Sequence, residues 1–309
     1  MNKKVLCLML AFVLAVSFFC TSKEAFAKNV TDSDYPNYGM NDDDGFGTDD
    51  EDEEDEEDDD SLFNLDPDED IEMYGHRGYS GAYLENSIPS IVGAAQASFD
   101  GIEIDIWESQ NGDIMVFHDY NTKRFCKRNT YIWKVNKKNR KNYLMSDSKG
   151  KGIVIPTLDE VLSVAKDNDL KVLCHIKTYK KYTLTSRGVD KIVNTIQKYK
   201  MQKNTVIFTS KKSDLKPFVN KGVRIGIVAG QYERSTINSH IRWLVKNGGD
   251  TLIISSSLTM RDDDFGEDLV DMCHRNGIQI GTYNTMDQDE YDYLKKINVD
   301  FAMTNNPYR

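Results

Sequence analysis

Glu103 and Asp105 stand two residues apart in the run Gly101-Ile102-Glu103-Ile104-Asp105-Ile106. In a strand that spacing puts both carboxylates on one face and the three isoleucines on the other. Two carboxylates side by side inside a fold repel one another and lose hydration. A divalent cation with oxygen ligands relieves both problems; an ion pair with Arg77 or Lys177 is the alternative. Histidine is scarce, five residues in the chain. His76, His118 and His175 each fall at or near the end of an expected strand. Two histidines flanking a cation suit acid–base chemistry near neutral pH.

The elements that must position these groups follow from periodicity. Short apolar runs begin near Glu72, Ile102, Lys171, Thr205, Arg224, Thr251, Ile278 and Phe301. Amphipathic stretches separate most of them. Thr157-Leu158-Asp159-Glu160 reads as a capping box, followed by Val161, Leu162 and Ala165 on one face. Ser87 is expected to cap a helix with Ile88, Ile91, Val92 and Ala95 on one face. Asp264 with Glu267 is expected to cap a later one. Eight strand–helix units in residues 71–309 predict an α/β fold, a (β/α)8 TIM barrel, with its chemistry at the C-terminal ends of the strands. No G-x-G-x-x-G follows the first strand, which speaks against a dinucleotide fold.

Five fragments then carry a family resemblance: Tyr74-Gly75-His76-Arg77-Gly78, Leu84-Glu85-Asn86-Ser87, Gly101-Ile102-Glu103-Ile104-Asp105, Val116-Phe117-His118-Asp119 and Ile155-Pro156-Thr157-Leu158-Asp159-Glu160. In this order and spacing the chain resembles the glycerophosphodiester phosphodiesterase family. The resemblance implies a metal-dependent enzyme that releases glycerol 3-phosphate and an alcohol. It makes His76 and His118 the acid–base pair, with His76 as base and His118 as acid. It makes Glu103 and Asp105 metal ligands, and Arg77, Glu85, Asn86 and Lys177 substrate-binding residues. The family's third ligand, a glutamate two residues before the lysine, is replaced by His175. The expected ion is Mg2+ or Ca2+, with the imidazole weakening their binding or opening the site to Mn2+ or Zn2+. The strand-seven tryptophan is replaced by Tyr283, expected to line the pocket. Thr304-Asn305 stands where the family has Thr-Asp.

Charge divides the chain. Residues 28–72 contain 22 acidic side chains and one lysine, whereas 73–309 carry a net charge of +8. The acidic run cannot bury enough apolar area to order itself, so residues 28–70 are expected to form a disordered linker. A calcium-loop reading of that run fails because Phe46 occupies a ligand position. Residues 1–27 have a signal-peptide layout: Lys3 and Lys4, apolar Val5 to Cys20, then Ala25-Phe26-Ala27. Secretion is expected, with association to the cell surface open and no transmembrane anchor in the mature chain. A basic insertion at about 120–155 holds eleven Lys and Arg against one acid between 121 and 152. It reads as a solvated loop or as a lip drawing in anionic substrates. The partner expected is a small or lipid-derived glycerophosphodiester, with a surface polymer as a further candidate and no nucleic acid. Two other functions stay open: a non-catalytic binder of phosphorylated surface polymers, favoured by His175, and a related phospholipase C- or D-type barrel.

Overall fold

The computed structural model describes residues 71–146, 150–230, 234–260 and 264–308. The expected signal peptide and acidic linker lie outside the described residues. The strands are β1 (Glu72–Gly75), β2 (Gly101–Glu108), β3 (Ile114–Val116), β4 (Met145–Ser146), β5 (Gly152–Ile153), β6 (Lys171–Ile176), β7 (Thr205–Thr209), β8 (Arg224–Ala229), β9 (Thr251–Ser255), β10 (Gln279–Thr285) and β11 (Phe301–Thr304). The helices are α1 (Ile88–Gln96), α2 (Leu158–Asp167), α3 (Ser186–Lys198), α4 (Lys212–Leu215), α5 (Arg234–Asn247), α6 (Ser256–Thr259), α7 (Phe265–Arg275) and α8 (Gln288–Lys296).

Eight parallel strands close on themselves in the order β1-β11-β10-β9-β8-β7-β6-β2, with β2 pairing back to β1. Closure leaves no free edge in the ring. β3 is added antiparallel to β2 through the Asn111-Gly112 turn. Strands covered on both faces read as unbroken apolar runs, which is why Thr-Val-Ile-Phe-Thr of β7 is buried throughout. Ile102, Ile104, Ile106, Cys174 and Ile207 face the helices as part of the large outer core. Tyr74, Leu173, Val206, Phe208, Ile253, Phe301 and Met303 fill the barrel interior, and Tyr283 packs against them.

The helix signals hold with two corrections. Thr157 and Ser87 cap α2 and α1 with reciprocal capping boxes, Glu160 and Ser90 being the return partners. Helix α2 buries Leu158, Val161, Leu162 and Ala165, the face its spacing predicts. Helix α1 buries Ile91 and packs Ile88 and Ala95 of the expected face against the core, but Ser90, Gly93 and Ala94 are buried in place of Val92, Ser90 being held by its hydrogen bonds to the Arg77 and Ser87 carbonyls. Helix α7 forms, but Asp264 makes no side-chain cap. Cys126, Cys174 and Cys273 are buried and unbridged. Among the described residues, no helix is long and apolar enough to cross a membrane.

The basic insertion is more than a solvated loop. Ile132, Trp133, Val135, Tyr143 and Met145 form a second core with Trp107, Met115 and Phe117. Its lysines 127, 134, 137, 138 and 141 are exposed over that core. The segment therefore folds against the β2–β3 hairpin and holds a fixed shape beside the C-terminal ends of the strands.

Candidate active site

The site sits where β1, β2 and β6 end. Asp105 pairs in register with His175, and Glu103 with Leu173. Glu103 and Asp105 point into the barrel and are 2% and 1% exposed, so their charges meet protein and not water. Ligand atoms of Glu103, Asp105 and His175 all lie within 4.8 Å of one another. His175 Nδ1 is 3.4 Å from Asp105 Oδ1 and 3.9 Å from Glu103 Oε1, and its ring stacks on Phe208 at 4.7 Å. Two buried carboxylates and one imidazole nitrogen form a donor set that fits a divalent cation.

The neighbours of the carboxylates are as specific as the carboxylates themselves. Asn86 Nδ2 donates to Asp105 Oδ2 at 2.8 Å, and its Oδ1 accepts from the Asp105 backbone N–H at 3.1 Å. Asn86 therefore orients Asp105; it has φ +51°, which an asparagine tolerates in a tight loop. Lys177 Nζ stands 3.5 Å from Asp105 Oδ1, and Arg77 Nε 3.6 Å from Oδ2. The Arg77 backbone N–H donates to Glu103 Oε2 at 3.1 Å. Gly78 follows with φ +78°, and a Cβ there would lie 2.4 Å from Ser90 Oγ. Only glycine lets the Arg77 turn lie flat against α1.

The electrostatics separate the two acids. Burial works to raise Asp105, but Lys177, His118, His175 and Arg77 together outweigh it and hold the carboxyl well below the usual range. Burial and the Asp105 charge push Glu103 well above it. Cation-free, any proton the pair holds sits on Glu103 rather than on Asp105. A cation bound there would displace that proton.

Both expected acid–base histidines are anchored through Nδ1, leaving Nε2 free. His76 Nδ1 lies 3.0 Å from Asn305 Oδ1, which also accepts from Ser80. Its Nε2 lies 4.0 Å from Glu103 Oε2. Burial, reinforced by the Arg77 charge, lowers the His76 pKa to about 3, so the imidazole is neutral at physiological pH. The neutral amide of Asn305 fits that state, since a carboxylate there would favour the imidazolium. His118 Nδ1 lies 2.7 Å from Asp119 Oδ1. Burial works to raise the Asp119 carboxyl, yet hydrogen bonds from His118 and Arg124 bring it to about 2.

Arg124 is the position that sequence reasoning missed; Asn305, marked there only as a departure from the family's Thr-Asp, is the partner of His76. The Arg124 guanidinium grips Asp119 through Nε at 2.9 Å and Glu85 through Nη1 at 2.8 Å. Glu85 also accepts from Arg77 Nη1 at 3.0 Å. Glu85 therefore braces the two arginines, and one insertion residue ties the His118 side of the site to the Arg77 side. Tyr283 is half-buried on β10 against the interior cluster.

With that geometry, comparison with known proteins gives a consistent result. The chain matches the model of the glycerophosphoryl diester phosphodiesterase family over residues 76–309. It is similar to a glycerophosphodiester phosphodiesterase of Caldanaerobacter subterraneus subsp. tengcongensis, 23% identical over 238 residues, which covers 75% of this chain and 93% of that one. Among solved structures, a glycerophosphodiester phosphodiesterase from Thermotoga maritima shares the fold with a TM-score of 0.63 at 22% identity, covering 77% of this chain and 95% of that one. A phosphodiesterase from Oleispira antarctica, in complex with the product sn-glycerol-3-phosphate, has a TM-score of 0.66 at 19% identity, covering 76% and 93%.

Proposed function

The chain belongs to the glycerophosphoryl diester phosphodiesterase family, and on that premise we propose that it hydrolyses glycerophosphodiesters to glycerol 3-phosphate and an alcohol. The observation that carries the reading is the pair of Nδ1-anchored histidines placed around a buried carboxylate–imidazole cluster. Glu103, Asp105 and His175 would hold a divalent cation. When bound, the ion supplies charge neutralisation to the phosphate oxygens. Arg77 and Lys177, both turned toward Asp105, supply fixed positive charge to the same region and bind the phosphate. Asn86 keeps Asp105 in place, and Glu85 keeps Arg77 in place.

His76 is neutral at working pH and takes a proton at Nε2 from the nucleophile, which is water, or the neighbouring glycerol hydroxyl followed by a second step in which water opens the cyclic phosphate formed. Asn305 holds the tautomer that leaves Nε2 able to accept. His118 gives its Nε2 proton to the leaving alcohol, with Asp119 holding the ring through Nδ1. The secreted location expected from residues 1–27 belongs to the same proposal; it suits an enzyme whose substrates are headgroups shed from lipids. A coupled assay for glycerol 3-phosphate, run on glycerophosphocholine over Mg2+, Ca2+, Mn2+ and Zn2+, tests the reading. Glycerol 3-phosphate and choline in equal amounts are expected. Binding without release under every ion would favour a non-catalytic binder.

His175 sets the preference among ions. An imidazole removes one negative charge from the site relative to a glutamate and favours Mn2+ or Zn2+ over Mg2+ or Ca2+. His175→Glu is expected to move the Zn2+-to-Mg2+ affinity ratio toward Mg2+ by about tenfold or more. Calorimetric titration of the apoprotein checks this, and an unchanged ratio would remove His175 from the ligand set.

A further inference from the structure

Beside Lys177 the surface opens into a cavity of about 210 Å3, walled by Trp107, Trp133 and Tyr182 and edged by Lys181, Arg187 and Glu108. We infer that this cavity seats the leaving alcohol and selects alcohols that carry negative charge over cationic ones. The inference rests on the phosphodiesterase reading and specifies its substrate class.

Position comes first. Lys177 belongs to both places, since it lines the cavity and stands 3.5 Å from Asp105. Trp107 Nε1 donates to the His118 carbonyl at 3.3 Å, so one wall is tied to the residue that protonates the departing oxygen. An alcohol leaving toward His118 therefore has this recess beside it. The volume is below the about 300–1,000 Å3 of pockets that take drug-sized ligands. It suits a compact alcohol better than an acyl chain.

Charge then decides the class. Lys177 faces Asp105, and Arg187 lies 3.5 Å from Glu108. Glu108 is already committed to the Thr185 backbone N–H at 2.7 Å and the Thr185 hydroxyl at 2.8 Å. Lys181 has no carboxylate partner among the described residues. The faces of Trp133 are taken as well. Trp133 is sandwiched between Tyr131 at 4.6 Å and Tyr182 at 3.9 Å. Lys181 Nζ sits 6.0 Å from the Tyr182 ring, and Lys180 Nζ 5.3 Å from the Tyr179 ring. A quaternary ammonium would seek ring faces that other rings and lysines already occupy, and would meet like charge. An anionic alcohol would meet Lys181 directly.

A ladder of leaving-group charge tests this while the glycerophosphate half stays constant. Initial-rate kcat/KM is measured for glycerophosphocholine (cationic alcohol), glycerophosphoglycerol (neutral) and bis(glycerophospho)glycerol (anionic). The wild-type chain is expected to favour the anionic over the cationic substrate by about 10-fold, a few-fold per charge as for solvent-screened pairs. Lys181→Glu is expected to reverse the order. Replacing Lys137 and Lys138 together by Glu, in the insertion, should leave the ratio unchanged, which separates a local seat from the general field of the basic body. An unchanged ratio in Lys181→Glu, or an equal drop on all three substrates, overturns the assignment. So does a ratio that follows the Lys137/Lys138 change. Turnover of none of the three by the wild-type chain would sink the phosphodiesterase reading itself, and the seat with it.

Discussion

Replacing His118 by Ala is expected to lower kcat on glycerophosphocholine by about 10²–10⁴-fold, the range for loss of a positioned general acid. The leaving alkoxide of choline is strongly basic and cannot depart unprotonated. The defect should shrink to less than about tenfold on a glycerophosphodiester whose leaving group is p-nitrophenol, which departs as the anion without help. His76→Ala should show no such rescue, because the nucleophile still has to lose its proton whatever the leaving group. Asp119→Asn should fall between, since the Nδ1 hydrogen bond survives but its acceptor is no longer charged. Measuring kcat for each variant on both substrates checks the assignment. Equal losses for His118→Ala on the two substrates would show that His118 is not the acid, and rescue of His76→Ala would show that the roles are exchanged.

How much of this is legible in the sequence depends on whether the signal is local. The eight ring strands begin at Glu72, Gly101, Lys171, Thr205, Arg224, Thr251, Gln279 and Phe301, within a residue of where the apolar runs start. Those runs are plain because a closed parallel barrel buries both faces of every strand. Glu103 and Asp105 are legible for the same reason in reverse: two acids break an isoleucine run at period two, and only a face turned to the site tolerates them. Asn305 gives no such signal in its own surroundings; only its departure from the family's Thr-Asp marks the position. It meets His76 across 229 positions of chain, and its importance is set by the ring of strands closing, not by anything beside it. Arg124 is one of eleven basic residues in the insertion, and nothing in its surroundings marks it as the one that grips Glu85 and Asp119. The insertion itself shows a general difficulty. Its lysines dominate the composition, whereas Ile132, Trp133, Val135 and Met145, spaced irregularly between them, form the core that fixes its shape. Asp264 fails as a cap although the acid stands at the right offset, because capping requires a side-chain geometry that spacing alone does not impose.

Asp105→Asn should have the second large effect, and its signature is thermodynamic as well as kinetic. The amide keeps the shape and the contact to Asn86 but removes the charge that Lys177, Arg77 and a cation all face. Loss of a direct ligand should weaken divalent binding by more than the about 10–100-fold typical of an outer partner. Turnover should fall by about 10²–10³-fold, as when one stabiliser of transition-state charge is lost. Two proton linkages sharpen the test. Glu103 has a raised folded-state pKa, so the cation-free fold binds more protons than the unfolded chain above the ordinary Glu value of about 4.3. That contribution to stability falls as pH rises toward the folded pKa. Asp105 is depressed, so its contribution is present above the unfolded value of about 3.9 and is lost as pH falls below it. Asparagine at 105 abolishes the second contribution. It also relieves the repulsion on Glu103, so the wild-type decline of cation-free stability with rising pH should flatten. A divalent ion at 100 times its Kd should stabilise the wild-type fold by about 2.7 kcal/mol, with proton release that diminishes as pH rises, and should leave the variant nearly unmoved. Thermal unfolding across pH with and without the ion measures all of this in the absence of substrate. A variant that gains as much stability from the ion as the wild-type chain would mean that the cation, if bound, does not sit between Glu103 and Asp105.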